Sequence, residues 1–279
     1  MVKSAVIVSL KDKASLNIRD RLFDLDRWHE TNYEFDGHII LKGENSGLYL
    51  VTINNDLIYS DYLNELNSML NLDRLIFASR HSSTTKKPSL HVHFTGNWSN
   101  ENPYGGSKRS LSISEPIAAR LAFLKLYEWR GRISSAKFDV SLEVTHHGPT
   151  DIDIPLFFIE LGSSEEQWVL KDAAKVIAEI IIDVGNVEIK KTSQIAIGFG
   201  GPHYAPSFTR YVLKNNICIG HMVPKYHVDS IDVDMLSKMI TRNSVKPDLA
   251  LIDWKGLKSP QRSKLLKLLE NTDLEVKKI

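Results

Sequence analysis

The sequence predicts an α/β fold, a central β-sheet flanked by helices, and two observations carry that expectation. Strand-length apolar runs at residues 5–10 (AVIVSL), 47–53 (GLYLVTI) and 72–80 (LDRLIFASR) alternate with segments whose apolar residues recur at helical spacing. The chain of 279 residues, 42% apolar and 25% charged, can also bury a substantial core without a disulfide or metal to hold it. No internal repeat, low-complexity tract or long linker interrupts the pattern. Residues 1–279 are therefore expected to form a single α/β domain, with loops elaborated over about residues 81–112.

Each element has its own signal. Residues 14–25 place Ala14, Ile18, Leu22 and Leu25 on one helical face, and residues 60–70 do the same with Leu63, Leu66 and Leu70. Residues 81–90 and 99–112, rich in Ser, Thr, Asn, Gly, Pro and Lys, read as loops around the extended segment 91–98 (HVHFTGNW). A helix opens near Glu115 with Pro116 in its first turn, where a missing N–H costs little, and runs to about Trp129 with Ile117, Leu121 and Leu124 on one face. Residues 138–144 and 155–161 read as strands. Residues 163–166 have capping-box spacing ahead of a helix expected to bury Trp168, Val169, Val176, Ile177, Ile180 and Ile181. Strands follow at 194–199, 216–222 and 248–252, and a last helix starts at Ser259 and Pro260 and packs Leu265, Leu266, Leu268 and Leu269.

Composition narrows the class. A formal net charge of +1 gives no bulk field for a polyanion, so any nucleic-acid contact must come from local patches: Lys86 and Lys87, Lys108 and Arg109, Arg130 and Arg132, and the lysines of the last helix. The single cysteine, Cys218, sits in an apolar run and reads as a buried thiol, which fits a reducing cytoplasm. The first residues lack signal-peptide features, and no stretch approaches the roughly 20 apolar residues of a membrane span. A soluble, cytoplasmic protein is expected. Neither a G-x-S-x-G elbow, an H-E-x-x-H helix, a P-loop nor a dinucleotide fingerprint is present.

The informative stretch is 143–162, EVTHHGPTDIDIPLFFIELG. His146 and His147 follow a strand, and Glu160 interrupts an apolar run where a carboxylate must be paired, protonated or bound to metal. His81 and His203 also fall just after predicted strands, while His91 and His93 form a His-x-His whose side chains share one face and are placed to share a ligand. Imidazoles gathered at strand ends suit a zinc site, which uses about three protein ligands and one open position; Glu160, Asp151 or Asp153 would complete it or act as base. Thr95, Gly96, Asn97 and Trp98 form a second candidate, a ligand-binding turn with an aromatic that either stacks on a base or sits in the core. Gly200, Gly201 and Pro202 form a glycine-rich strand exit read as a substrate-binding turn.

The segments SRHSSTTKKPSLHVHFTGNW, EVTHHGPTDIDIPLFFIELGSSEEQW, GFGGPHYAP and IGHMVPKY together resemble the archaeal and plant-type D-aminoacyl-tRNA deacylases. The resemblance implies a mixed central sheet flanked by helices, similar to peptidyl-tRNA hydrolase and phosphorylase-like folds. It also implies a zinc-dependent esterase of translation quality control that cleaves the ester joining a D-amino acid to the tRNA 3′-terminal adenosine. The expected chemistry uses Zn2+ held by some of His81, His91, His93, His146 and His147 to lower the pKa of a water towards about 7. That water attacks the ester carbonyl, with a second metal or His203 stabilising the oxyanion and Glu160 as base or ligand. Thr95–Trp98 and Gly200–Pro202 are expected to hold the adenosine and aminoacyl groups. The catalytic set is then His146, His147, Glu160 and His203. The partner is D-aminoacyl-tRNA, and a monomer with no obligate protein partner is expected. A metal-free version using His–carboxylate pairs stays open, as do a non-catalytic RNA-binding protein and a metal-dependent peptidase or amidase.

Overall fold

Hydrogen-bond pairing sorts the strands of the computed structural model, which describes residues 2–188, 190–191 and 193–279, into two main sheets. The strands are β1 (Ser4–Ser9), β2 (Trp28–Phe35), β3 (His38–Gly43), β4 (Tyr49–Ile53), β5 (Arg74–Ser82), β6 (Ser89–His93), β7 (Gly96–Asn97), β8 (Ser110–Leu111), β9 (Asp139–Leu142) and β10 (Leu156–Ser163). Four more complete the chain: β11 (Gln194–Phe199), β12 (Ile217–Val223), β13 (Leu249–Ile252) and β14 (Glu275–Lys278). The larger sheet is eight-stranded, in the order β2-β3-β4-β1-β5-β10-β6-β9. It is mixed: β1 is parallel to β4 and β5, β5 is parallel to β10, and β6 runs antiparallel to β10. The smaller sheet, β12-β11-β13-β14, is parallel throughout, and β7 and β8 form a short antiparallel ribbon.

The helices are α1 (Lys13–Leu25), α2 (Glu65–Leu70), α3 (Pro116–Trp129), α4 (Glu165–Trp168), α5 (Lys171–Gly185), α6 (Pro206–Lys214), α7 (Val233–Thr241) and α8 (Ser259–Leu269). The largest buried cluster joins α1, α3 and α5 to Val6, Ile76 and Phe157 of the large sheet and to Ala196, Ile219 and Met222 of the small one. The two sheets therefore share core. The opposite face of the large sheet is closed by Leu63, Leu66 and Leu70, packed on Ala5, Phe77 and Phe158. The outer face of the small sheet is closed by Met235 and Met239 of α7 and Leu265 and Leu269 of α8. Each such side chain taken fully out of water contributes roughly 1.5–3 kcal/mol. Arg74, fully buried on β5, donates to the carbonyls of Val184 (2.8 Å) and Val187 (2.5 Å), satisfying acceptors at the C-terminal end of α5.

Several expectations shift. The helix expected over 60–70 starts as 3-10 turns at Leu57–Tyr59 and Asp61–Asn64, and only Glu65–Leu70 is α-helical. The helix expected behind residues 163–166 is broken, and Val169 at the break is 57% exposed. Ser163 stays in β10, and the Gln167 side-chain carbonyl, rather than Glu166, accepts from Ser163 N (3.1 Å) and Ser164 Oγ (2.8 Å). On α3 the buried face is Ile117, Ala118, Ala119, Ala122, Phe123 and Leu126, with Leu121 and Leu124 only half-buried. This helix touches both α5 and β12, and its alanines allow that double approach. The hairpin β2–β3, the helices α6 and α7 and the strand β14 have no counterpart in the sequence reading.

Candidate active site

Strand β10 carries Glu160 into the middle of the large sheet. Parallel pairing sets Glu160 against Ser79 and Gly162 against His81 on β5, while antiparallel pairing sets Glu160 against His91 and Phe158 against His93 on β6. After β9, residues 143–147 leave the sheet edge and cross to the second sheet. Glu143 N donates to Val92 O (3.2 Å), Val144 N to His203 O (3.0 Å), Thr145 N to Met222 O (2.9 Å), and Gly96 N to His147 O (2.7 Å). This crossing brings His146, His147 and His203 over the His81, His91, His93 and Glu160 side chains. The cluster lies at the seam of the two sheets, at the carboxyl ends of β5, β9 and β11.

Two buried carboxylates organise it. Glu160 Oε2 is 3.1 Å from His81 Nδ1, and Oε1 is 3.2 Å from His93 Nε2. Glu143 Oε1 lies 3.4 Å from His81 Nδ1, 3.3 Å from His203 Nε2 and 4.0 Å from His91 Nδ1. Burial opposes charge on Glu160, but His93 and the hydrogen bond from His81 outweigh it and hold the carboxyl below the usual range. Burial likewise opposes charge on Glu143, and His91, His203, His146 and His81 overcome it. The imidazoles divide. Burial depresses His81 and His93, yet Glu160 chiefly, with Glu143, raises both above the ordinary histidine value. Burial brings His91 and His147 down to about 4, and burial with His147 and His93 beside it pushes His146 well down. Two anions and three imidazoles held neutral therefore meet in one cluster.

The donor set fits a divalent cation. His93 Nδ1 bonds the carbonyl of Phe94 (3.1 Å), His146 Nδ1 that of Val144 (2.8 Å) and His147 Nδ1 that of Gly148 (2.6 Å). A carbonyl only accepts, so each Nδ1 carries the proton; the Nε2 atoms of His146 and His147 are left for a ligand, the arrangement that orients metal-binding histidines, whereas that of His93 faces Glu160 Oε1 at 3.2 Å. One donor atom from each of His93, His146 and His147 lies within 4.8 Å of the others, and so do sets drawn from His81, His91 and Glu143, and from Glu143, His146 and His203. Both oxygens of Glu143 are buried without a well-aligned hydrogen bond among the described residues, the nearest donors being His203 Nε2 at 3.3 Å and His81 Nδ1 at 3.4 Å. Buried polar atoms without partners are costly unless something else is coordinated there. His91 and His93 fall in different sets rather than sharing one ligand, because residues two apart on a strand are separated by about 6.7 Å.

Other expected residues are placed as follows. Asp151 and Asp153 are exposed and outside the cluster, with Asp153 Oδ1 paired to Arg242 (3.1 Å), so neither completes the site. Thr95 is fully buried and its hydroxyl donates to Pro149 O; Asn97 Nδ2 bonds Gly105 O (2.8 Å) and Ser107 O (3.1 Å). Trp98 is 2% exposed, donates its indole N–H to Thr145 O (2.7 Å) and packs with the core beside the small sheet. Gly200 and Gly201 take positive φ, and their turn, with Pro202, delivers His203 to Glu143. Two residues were missed: Glu143, and Tyr204, whose hydroxyl lies 3.3 Å from His81 Nε2 and 3.2 Å from Ser83 Oγ while its ring stacks on His91. His203 next to Tyr204 in the sequence was the available signal for the latter.

Two cavities touch the cluster. One, of about 510 Å³, reaches it through His91 and Tyr204 and carries Lys87 and Arg210 at its walls. The other, of about 180 Å³, reaches it through His146 and His147 and is walled by Gly96, Asn97, Trp98 and Tyr226. Neither is lined by Gly200, Gly201 or Pro202.

Comparison with known proteins is consistent along the whole chain. The sequence model of the D-aminoacyl-tRNA deacylase family matches residues 68–277. The D-aminoacyl-tRNA deacylase of Pyrococcus abyssi is 39% identical over 274 residues, covering 97% of this chain and 98% of its own. That of Methanocaldococcus jannaschii is 33% identical over 287 residues and covers 100% of both. A crystal structure titled as a conserved protein of unknown function superposes with a TM-score of 0.90 at 30% identity, covering 99% of this chain and 95% of that one.

Proposed function

Because the chain belongs to the D-aminoacyl-tRNA deacylase family, we propose that its histidine–glutamate cluster hydrolyses the ester between a D-amino acid and the 3′-terminal adenosine of tRNA. The observation that carries this reading is the convergence of Glu143, Glu160 and six imidazoles, His81, His91, His93, His146, His147 and His203, at the seam of the sheets. A largely buried centre rich in carboxylates and imidazoles suits activation of water against an ester.

His93, His146 and His147, with Glu143 turned also towards His81, His91 and His203, are the residues that would hold zinc. When bound, a divalent cation there supplies Lewis acidity to a carbonyl and acidity to a water. The chain's own groups have separate roles. Glu143, held anionic and 3.3 Å from His203, is placed to accept a proton from the attacking water. His203, at the rim of the cluster, is placed to return a proton to the departing ribose oxygen, so that the acyl C–O bond breaks and a neutral hydroxyl leaves. Glu160 fixes His81 and His93 from the other side. The carbonyl-anchored Nδ1 atoms lock the orientation of His93, His146 and His147.

The test is deacylation of matched D- and L-tyrosyl-tRNA, with and without prior chelation. Rapid loss of the D-ester alone, abolished by chelator and restored by zinc, is the expected result. D-specific cleavage that survives chelation removes zinc from the chemistry and leaves the Glu143–His203 pair. Binding of tRNA with no loss of either ester overturns the reading.

A further inference from the structure

The two cavities beside the cluster share no lining residue and differ in both size and charge. The larger, about 510 Å³, is within the roughly 300–1,000 Å³ of sites that enclose a nucleotide-sized ligand. The smaller, about 180 Å³, is below that range and takes one side-chain-sized group. Lys87 and Arg210 line the larger cavity against the single carboxylate of Asp139. Both cations are exposed, and neither has an ion-pair partner among the described residues; Arg210 makes only a 3.4 Å contact to Ser207 Oγ. Ser89, Ser141 and Thr209, whose hydroxyls bond Ser163, His91 and the Leu142 N–H, add polar walls. The smaller cavity contains no lysine or arginine. It is lined instead by Glu101 and by Tyr104 and Tyr226, which are 65% and 55% exposed.

The substrate has the same asymmetry. One end is a nucleoside with an anionic 5′-phosphate; the other is a single side chain with a cationic α-ammonium; the ester joins them. Resting on the deacylase reading above, we infer that the substrate lies across the cluster in one direction, with terminal adenosine and phosphate in the Lys87–Arg210 cavity and the D-aminoacyl group in the Trp98–Tyr226 cavity. Size favours the larger cavity for the nucleoside with its phosphate. Charge agrees independently. The phosphate gains two unpaired cations, and the ammonium gains Glu101 and tyrosine faces. The reverse placement would set the phosphate beside Glu101 and the ammonium beside Lys87 and Arg210. Tyr204, between His81 and His91 at the mouth of the larger cavity, then lines the path of the ribose.

The test uses 3′-O-D-tyrosyl-adenosine with and without a 5′-phosphate. The wild-type chain is expected to prefer the phosphorylated ester in kcat/KM by roughly ten- to a hundredfold, the value of charge-assisted contacts. In Lys87→Ala/Arg210→Ala that preference collapses towards one, and on full D-tyrosyl-tRNA the salt dependence of log KM loses a slope of about 1.4. A plug in the smaller cavity, Ser99→Trp, is expected to slow the D-tyrosyl ester at least roughly tenfold more than the D-alanyl ester. A phosphate preference that persists in the double variant, a wild type with no such preference, or a plug that slows both esters equally overturns the orientation while leaving the deacylase reading intact. Failure of the wild type to cleave D-tyrosyl-tRNA itself overturns both.

Discussion

Gly162 is where the large sheet and the candidate site make the same demand. It pairs with His81 across β10 and β5, and a Cβ built there lies 2.4 Å from His81 O and 2.6 Å from His81 Cβ. Ordinary contact starts at 3.4 Å, so Gly162→Ala forces the strands about 1 Å apart. No flexible side chain can yield, because the obstructing atoms are the backbone and first side-chain carbon of an interior strand. His81 Nδ1 is 3.1 Å from Glu160 Oε2, and a further 1 Å takes that pair beyond hydrogen-bond reach. Overpacking of this kind costs about 1–3 kcal/mol. A displacement of about 1 Å among reacting groups costs on the order of 10²-fold in rate. Urea unfolding and kcat/KM on D-tyrosyl-tRNA measure the two effects separately. Gly131→Ala, where a Cβ meets nothing within 4 Å, is the control and should leave both readings unchanged. A Gly162→Ala protein as stable and as active as that control refutes the claim that strand separation sets the His81–Glu160 geometry.

Other perturbations test other links. Glu143→Gln is expected to lower kcat/KM by about 10²–10⁴ while costing the metal-free protein little stability, since it removes a fully buried charge together with that charge's imidazole contacts; full activity refutes its role as proton acceptor. Asp26 accepts from the backbone N–H groups of Arg27, Asn45 and Ser46; burial alone would raise its pKa, but the Ser46 and Asn45 bonds bring it down to about 2. Its contribution is complete above about pH 4 and is lost as pH falls through 2, so Asp26→Asn should cost about 1–2 kcal/mol at pH 7, with a smaller gap in urea midpoints at pH 3. His221, fully buried and brought down to about 4 by burial, is neutral in the fold, so its stabilisation is present above about pH 6.5 and declines towards pH 4. His221→Gln should flatten that part of the stability profile by up to about 3 kcal/mol. Finally, because the two sheets share Ile76, Phe157, Ala196 and Ile219 in one cluster, urea should unfold the chain in one transition, and two resolved transitions would contradict the shared core.

What the sequence made legible follows from which forces act locally. The strands at residues 5–10, 72–80 and 155–161 are buried on both faces, so their apolar runs are continuous and easily read. The hairpin β2–β3 lies at the sheet edge, where Glu30, Asn32 and Glu34 face water, and neither helical nor strand periodicity marks it. The α4–α5 break was hidden because the capping spacing is real but Ser163 is claimed by β10, a tertiary pairing that no local signal reports. His81, His91, His93, His146, His147 and His203 were legible as a group because polar, ring-bearing residues at several strand ends need a common reason. Their division into overlapping ligand sets was not, since it depends on the 143–147 crossing between sheets.

Glu143 shows why a histidine-rich site can be read without its central carboxylate. Residues 138–144 alternate strictly, with Phe138, Val140, Leu142 and Val144 apolar and Asp139, Ser141 and Glu143 polar. Such alternation ordinarily means one face in the core and one in solvent. Along this segment the polar face begins that way, with Asp139 exposed and Ser141 half-buried, but Glu143 is fully buried. The reason is the second sheet: Val144 and Thr145 bond to His203 and Met222, folding the segment inward just where the alternation reaches its last polar residue. A carboxylate that looks solvated in sequence thus becomes the most enclosed acid of the site. Its charge is held by imidazoles from three other segments, His81, His91 and His203. Because those partners come from separate parts of the chain, replacing any one leaves Glu143 still buried and only partly compensated. Single imidazole substitutions near it should therefore cost stability in the metal-free protein, whereas Glu143→Gln, which removes the buried charge itself, should cost less. Measuring both against zinc-free wild type separates a carboxylate kept for chemistry from one kept for the fold.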